Sequence, residues 1–192
     1  MEQTSYSWIV DQSILPRIEG ELVSLATIRA SSTLSLTYSL QPLGSSIAFA
    51  DIGLVLDGNQ VTLSYLLLKN LNTVSFPLRG VVRISDNRSY CLETNTAGPC
   101  VVSIPFSLNV GQFNPACSRD IFVFAPSTAR VSWNQPRLTM RDLTRLSLTG
   151  SVTPGSAFSL GSTQVTYALP HDPSQLGPTR IGCTFNVCAV VH

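Results

Sequence analysis

Five cysteines, two histidines and eleven carboxylates are the groups in these 192 residues that could do chemistry. A thiol can form a disulfide, ligate zinc or act as a nucleophile, and spacing decides among these. The cysteines are Cys91, Cys100, Cys117, Cys183 and Cys188, with no Cys-x-x-Cys pair. The only histidines are His171 and His192, so a zinc set is poorly supported. Disulfides are the better reading. Cys91 and Cys100 enclose a turn-rich loop containing Asn95, Gly98 and Pro99, which suits a short bridge between them. One cysteine of the five is left over, and composition alone does not say which.

No catalytic pattern accompanies these groups. The chain lacks Gly-x-Ser-x-Gly, His-Glu-x-x-His, a P-loop and Gly-x-Gly-x-x-Gly. His171 beside Asp172 has no nucleophile or substrate group assigned to it in sequence, and reads as an exposed loop histidine. Asp57-Gly-Asn59 has the chemistry of a tight turn, and the further ligands of a calcium loop do not follow it. The expectation is a protein that is not an enzyme and holds no cofactor or metal.

Other residues point to surface roles. Asn87-Arg-Ser89 is a glycosylation sequon in a polar turn before Cys91. Arg137, Arg141 and Arg145 recur every four residues. On a helical turn they would form a basic stripe for a sulfated glycan or an acidic partner, and otherwise they are a solvated loop. Tyr6, Trp8 and Tyr90 are the aromatics available for a carbohydrate platform.

The elements that must position these groups read as strands. Glu21–Ile28, Thr33–Leu40, Ile47–Leu56, Val61–Leu68, Val74–Leu78, Val81–Ser85 and Val101–Leu108 are the candidates in the first half. Leu34, Leu36, Tyr38 and Leu40 alternate onto one face. Asp57-Gly58 between two apolar runs signals a hairpin, and Arg79-Gly80 reads as a turn. Gly111–Pro115 reads as a linker. Strands follow at Asp120–Phe124, Ala129–Trp133, Leu146–Ser151, Thr163–Leu169 and Ile181–Val191, and only Arg137–Leu146 has helical spacing. The fold class is all-β: two tandem immunoglobulin-like β-sandwich domains, residues 1–112 and 113–192.

Composition agrees with an extracellular β protein. Apolar residues make up 44% and charged residues only 12%, about half the usual share. Lys69 is the single lysine, so few gatekeeper charges protect the strand edges of Thr33–Leu40 and Val61–Leu68. Net charge is +1, which excludes a broad field for nucleic acid or an anionic membrane. No apolar run reaches the length of a membrane span. Met1–Gly20 lacks a signal-peptide pattern, because Asp11 interrupts its apolar residues. The expectation is therefore a processed or excised piece of a secreted protein; the alternative is a cytosolic protein with reduced thiols.

Four blocks carry a resemblance. They are Cys117-Ser-Arg-Asp-Ile-Phe-Val123, Val131-Ser-Trp133-Asn-Gln-Pro136, Pro154-Gly-Ser-Ala-Phe158-Ser-Leu-Gly161-Ser-Thr163-Gln-Val165-Thr-Tyr167 and Cys183-Thr-Phe185-Asn-Val187. In order and spacing they resemble the hyalin repeat (HYR) domain over about Asn114–Val191. The resemblance implies an immunoglobulin-like sandwich of extracellular matrix or adhesion proteins, and a Cys117–Cys183 bridge. Two departures affect the loops. Thr139-Met-Arg-Asp-Leu-Thr-Arg145 replaces an Asp-rich turn, and Pro170–Thr179 replaces a short Asp-x-x-Gly-Asn turn. Residues 1–112 resemble no family.

That pairing leaves Cys188. If Phe185 and Val187 face the core, strand parity turns Cys188 outward. An odd outward cysteine in a secreted protein suggests an intermolecular bridge or a reactive thiol. The functional expectation is an extracellular structural or adhesion protein that associates with itself, as part of a fibre, coat or matrix, or with other extracellular proteins and glycans. The rivals are a carbohydrate- or receptor-binding module and an accessory domain of a larger enzyme.

Overall fold

The computed structural model describes residues 6–30, 32–44, 47–169 and 182–191. The described residues are all-β with one short α-helix and divide into two compact units, one up to Asn109 and one from Val110 onward.

In the first unit the strands are β1 (Tyr6–Asp11), β2 (Leu22–Thr27), β3 (Leu36–Pro42), β4 (Leu54–Asp57), β5 (Gln60–Ser64), β6 (Leu78–Asp86), β7 (Tyr90–Cys91), β8 (Thr96–Ala97) and β9 (Val101–Phe113), the last residues of which, from Val110, belong to the second unit. Helix α1 (Tyr65–Asn70) follows β5. Strand β6 pairs antiparallel with β3 on one side and β9 on the other, while β2, β5 and β4 form a second sheet. Trp8, Phe49 and Phe106 cluster between them, with ring centroids 4.6 Å apart for Trp8–Phe106 and 5.7 Å for Phe49–Phe106. Around them Val10, Leu54, Leu63, Leu67 and Leu108 are almost fully buried.

The Asp57-Gly58 signal is a hairpin, with Asp57 opposite Gln60. Asn59 donates its side-chain amide to the Ile28 carbonyl at 3.1 Å, so this stretch does turn work. Other expectations are corrected. Ile47–Leu56 is a 3₁₀ turn at Phe49–Ile52 followed by β4. Val61–Leu68 is a strand only as far as Ser64, whose hydroxyl accepts from the Leu66 N–H and caps α1. Capping and burial of Leu67 override the apolar alternation there. Arg79-Gly80 lies inside one continuous strand, β6. A Cβ at Gly80 would sit 2.6 Å from the Phe49 ring and 2.7 Å from Phe106, so this glycine serves close packing and not a turn.

The second unit contains β10 (Ile121–Phe124), β11 (Thr128–Arg130), β12 (Arg137–Met140), β13 (Arg145–Ser147), β14 (Thr149–Gly150), β15 (Ala157–Ser159), β16 (Gly161–Ala168) and β17 (Gly182–Val190). Their main sheet runs β10-β17-β16-β14, with β10 and β17 parallel and β16–β17 an eight-pair antiparallel ladder. Strands β11 and β15 pair as a ribbon, with Ala129 opposite Phe158. Arg137–Leu146 is not helical; β12 and β13 form a hairpin. Gly111–Phe113, expected in a linker, ends β9 and pairs with β12. A Cβ at Gly111 would meet Met140 Sδ at 2.8 Å and Leu138 at 2.9 Å, so these side chains select the glycine.

Candidate functional site

Strand β17 alternates as strand geometry requires. Cys183, Phe185, Val187 and Ala189 are buried, whereas Asn186 and Cys188 are half-buried on the other face. Cys183 is bonded to Cys117, and Cys91 to Cys100. Cys188 is the free thiol, and its Sγ lies 3.6 Å from the Ser162 hydroxyl on the neighbouring strand. Cys91, Glu93 and Cys100 are close enough to suggest a metal set, but both sulfurs are committed to the disulfide and cannot act as thiolate ligands.

On the β10 side the neighbours of Cys188 are apolar, whereas Ser162, Gln164 and Asn186 make the β16–β17 part of the same face polar. Phe122 on β10 stands opposite Cys188 and is 68% exposed; Phe124 stands opposite Val190 and is 69% exposed. Strand β10 ends its sheet's order, and Asp120 just before it accepts from the Asn186 N–H at 2.7 Å, fixing its register.

The sequon turn is anchored from below. Asp86 closes β6 and is buried. Its carboxylate accepts from Arg88 Nε at 2.6 Å, from the Arg88 N–H at 3.2 Å and from the Cys100 N–H at 3.0 Å. Its own N–H donates to the Cys100 carbonyl. Burial is the largest single influence on this carboxyl and raises its pKa, but the Arg88 side chain, the two backbone N–H groups and the Arg88 charge together hold it below the usual carboxylate range. Asn87 is exposed on top of this clamp.

The three arginines separate. Arg137 lies on β12 opposite Ser147, and Arg145 lies on β13 opposite Thr139. Leu138 and Met140, between them in parity, are buried, so Arg137, Thr139 and Arg145 share the outward face. On β9, Gln112 faces Thr139 in register, and Asn114 follows with its N–H bonded to the Arg137 carbonyl. Arg141 sits in the hairpin turn, with its N–H on the Val110 carbonyl. An open concavity of about 470 Å³ is lined by Asn114, Asn134, Gln135, Arg137, Thr139 and Arg145. Sequence reasoning missed the two amides of Asn134 and Gln135, which precede Arg137 in the chain and come to border Arg145 only through the β12–β13 pairing.

The aromatic platform is not assembled. Trp8 is buried against Phe106, Tyr6 is half-buried, and the exposed Tyr90 donates its hydroxyl to Asn95 Oδ1. His171, Asp172 and His192 lie outside the described residues. No helix of the described residues is long and apolar enough to cross a membrane.

Fold and cysteine pairing together define an all-β, disulfide-bonded protein. Residues 117–189 match the family model of the HYR domain. Among solved structures, the chain is similar to human CDH23 EC21-23 at 16% identity and a TM-score of 0.33, covering 99% of this chain and 60% of that one. It is similar to Drosophila N-cadherin EC1-4 at 12% identity and a TM-score of 0.31, covering 97% and 48%. The chain thus spans about half to three-fifths of the length of these structures. The comparison with curated proteins found no match.

Proposed function

We propose that the protein is a non-enzymatic extracellular structural protein, built of tandem β domains that change over within β9, which associates with copies of itself in a fibre, coat or matrix. The observation that carries this reading is the outer face of β10 and β17. Two phenylalanines, Phe122 and Phe124, are about two-thirds exposed beside Cys188 and Val190. Large apolar side chains grouped on one face mark association surfaces more often than isolated ones do. Strand β10 also carries no lysine or proline that would guard it against pairing with another chain. Asn87 carries an N-linked glycan in this reading, since its side chain is exposed in a sequon.

Sedimentation of the intact chain across a concentration series tests the proposal. A concentration-dependent dimer or polymer is expected, and a monomer at every concentration overturns it.

A further inference from the structure

We propose that the outward face of the β12–β13 hairpin is a binding site for the sulfate and carboxylate groups of a polyanionic glycan. Arg137 and Arg145 are diagonal neighbours across the hairpin, which places their Cβ atoms roughly 7–8 Å apart. Both are exposed, and neither guanidinium has a carboxylate partner among the described residues. No acidic residue lines the concavity they border.

The remaining lining groups suit a glycan. Asn134 and Asn114 offer exposed amides, and Thr139 a hydroxyl. Gln135 uses its Nε2 on the Leu148 carbonyl, which leaves its Oε1 as an acceptor for a sugar hydroxyl. Arginine is matched to sulfate and carboxylate by its planar fork, and amides read the hydroxyls between them. The buried side chains of Leu138 and Met140 hold β12 beneath this face. The site stands on observations separate from the apolar side chains of β10 and β17, so either proposal can fail alone.

The test is binding of the whole chain to immobilised heparin, with a poly-glutamate peptide as the second probe. The double variant Arg137→Gln/Arg145→Gln is expected to bind heparin about tenfold more weakly or worse. Arg29→Gln/Arg119→Gln, with the same loss of charge at exposed positions elsewhere, should bind as the native chain does. Replacing both site arginines by lysine keeps the charge and is expected to restore only part of the affinity. Circular dichroism of each variant checks that the hairpin variants remain folded. No binding by the native chain, or equal loss in both glutamine doubles, overturns the proposal. Binding to poly-glutamate and not to heparin overturns it in favour of an acidic peptide partner.

Discussion

The indole Nε1 of Trp133 donates to the phenolic oxygen of Tyr167 at 2.8 Å, joining the segment after β11 to the interior of β16. Trp133 also packs on Phe158 and Phe185, with centroid separations of 6.0 and 5.4 Å. Tyr167 is 1% exposed and in turn donates to the Val152 carbonyl. This pair ties the ribbon β11–β15 to the main sheet.

Tyr167→Phe keeps the ring and leaves the indole N–H without its acceptor. The expected cost is about 1–3 kcal/mol, read as a lower urea midpoint with an unchanged slope. An unchanged midpoint would mean that water replaces the bond.

Gly150→Ala should be at least as damaging. Its Cβ would lie 2.5 Å from Tyr167 Cε1, and the ring has no free space to yield. Overpacking of this kind costs about 1–3 kcal/mol. Gly182→Ala, where nothing lies within 4 Å of the new atom, is the matched control.

Asp86 gives the first unit an acid-sensitive point. Its folded pKa is lowered, so its contribution is present above the unfolded value, 3.8, and is lost as pH falls through the folded value. Melting temperature is therefore expected to fall below about pH 4 in the native chain. Asp86→Asn should flatten that part of the profile and lower stability at neutral pH. A native profile that stays level from pH 5 to pH 2 would show that the clamp contributes nothing.

The two disulfides should differ in weight. Cys117–Cys183 spans 66 residues and Cys91–Cys100 spans 9. In the loop-entropy description the longer bridge stabilises by roughly 2 kcal/mol more. Denaturant titration of the two double-serine variants compares them directly.

Self-association is expected to fail in Phe122→Glu and to persist in Cys188→Ser. Cys188 lies one strand in from β10. Two copies joined along that strand place their Cys188 residues about three strand spacings apart, roughly 14 Å, whereas bridged Cα atoms lie within about 7 Å. A cross-linked species on a non-reducing gel, removed by Cys188→Ser, would instead require the faces to meet directly.

Much of the second unit was legible because its information is local. Alternation in Val165-Thr-Tyr167 and Cys183-Thr-Phe185-Asn-Val187 names the buried face without reference to any partner, and the Thr153-Pro-Gly155 turn declares itself by composition. The first unit was less legible for the opposite reason. Gly80 was read as a turn because the rings that need its missing side chain come from Phe49 and Phe106, far along the chain. Val61–Leu68 was read as a strand because the cap at Ser64 and the burial of Leu67 are decided by packing, not by period.

By itself, the sequence determined the all-β class, the HYR-like blocks of residues 117–189 and the outward parity of Cys188. The class and the parity follow from period-two alternation and turn chemistry, which act between near neighbours, while the HYR resemblance rests on the order and spacing of its four motif blocks. Tertiary structure alone decided which arginines share a surface. A spacing of four suggested that Arg137, Arg141 and Arg145 stand together. The hairpin instead sets Arg137 beside Arg145 and carries Arg141 into the turn, because cross-strand register brings together residues that sequence distance keeps apart.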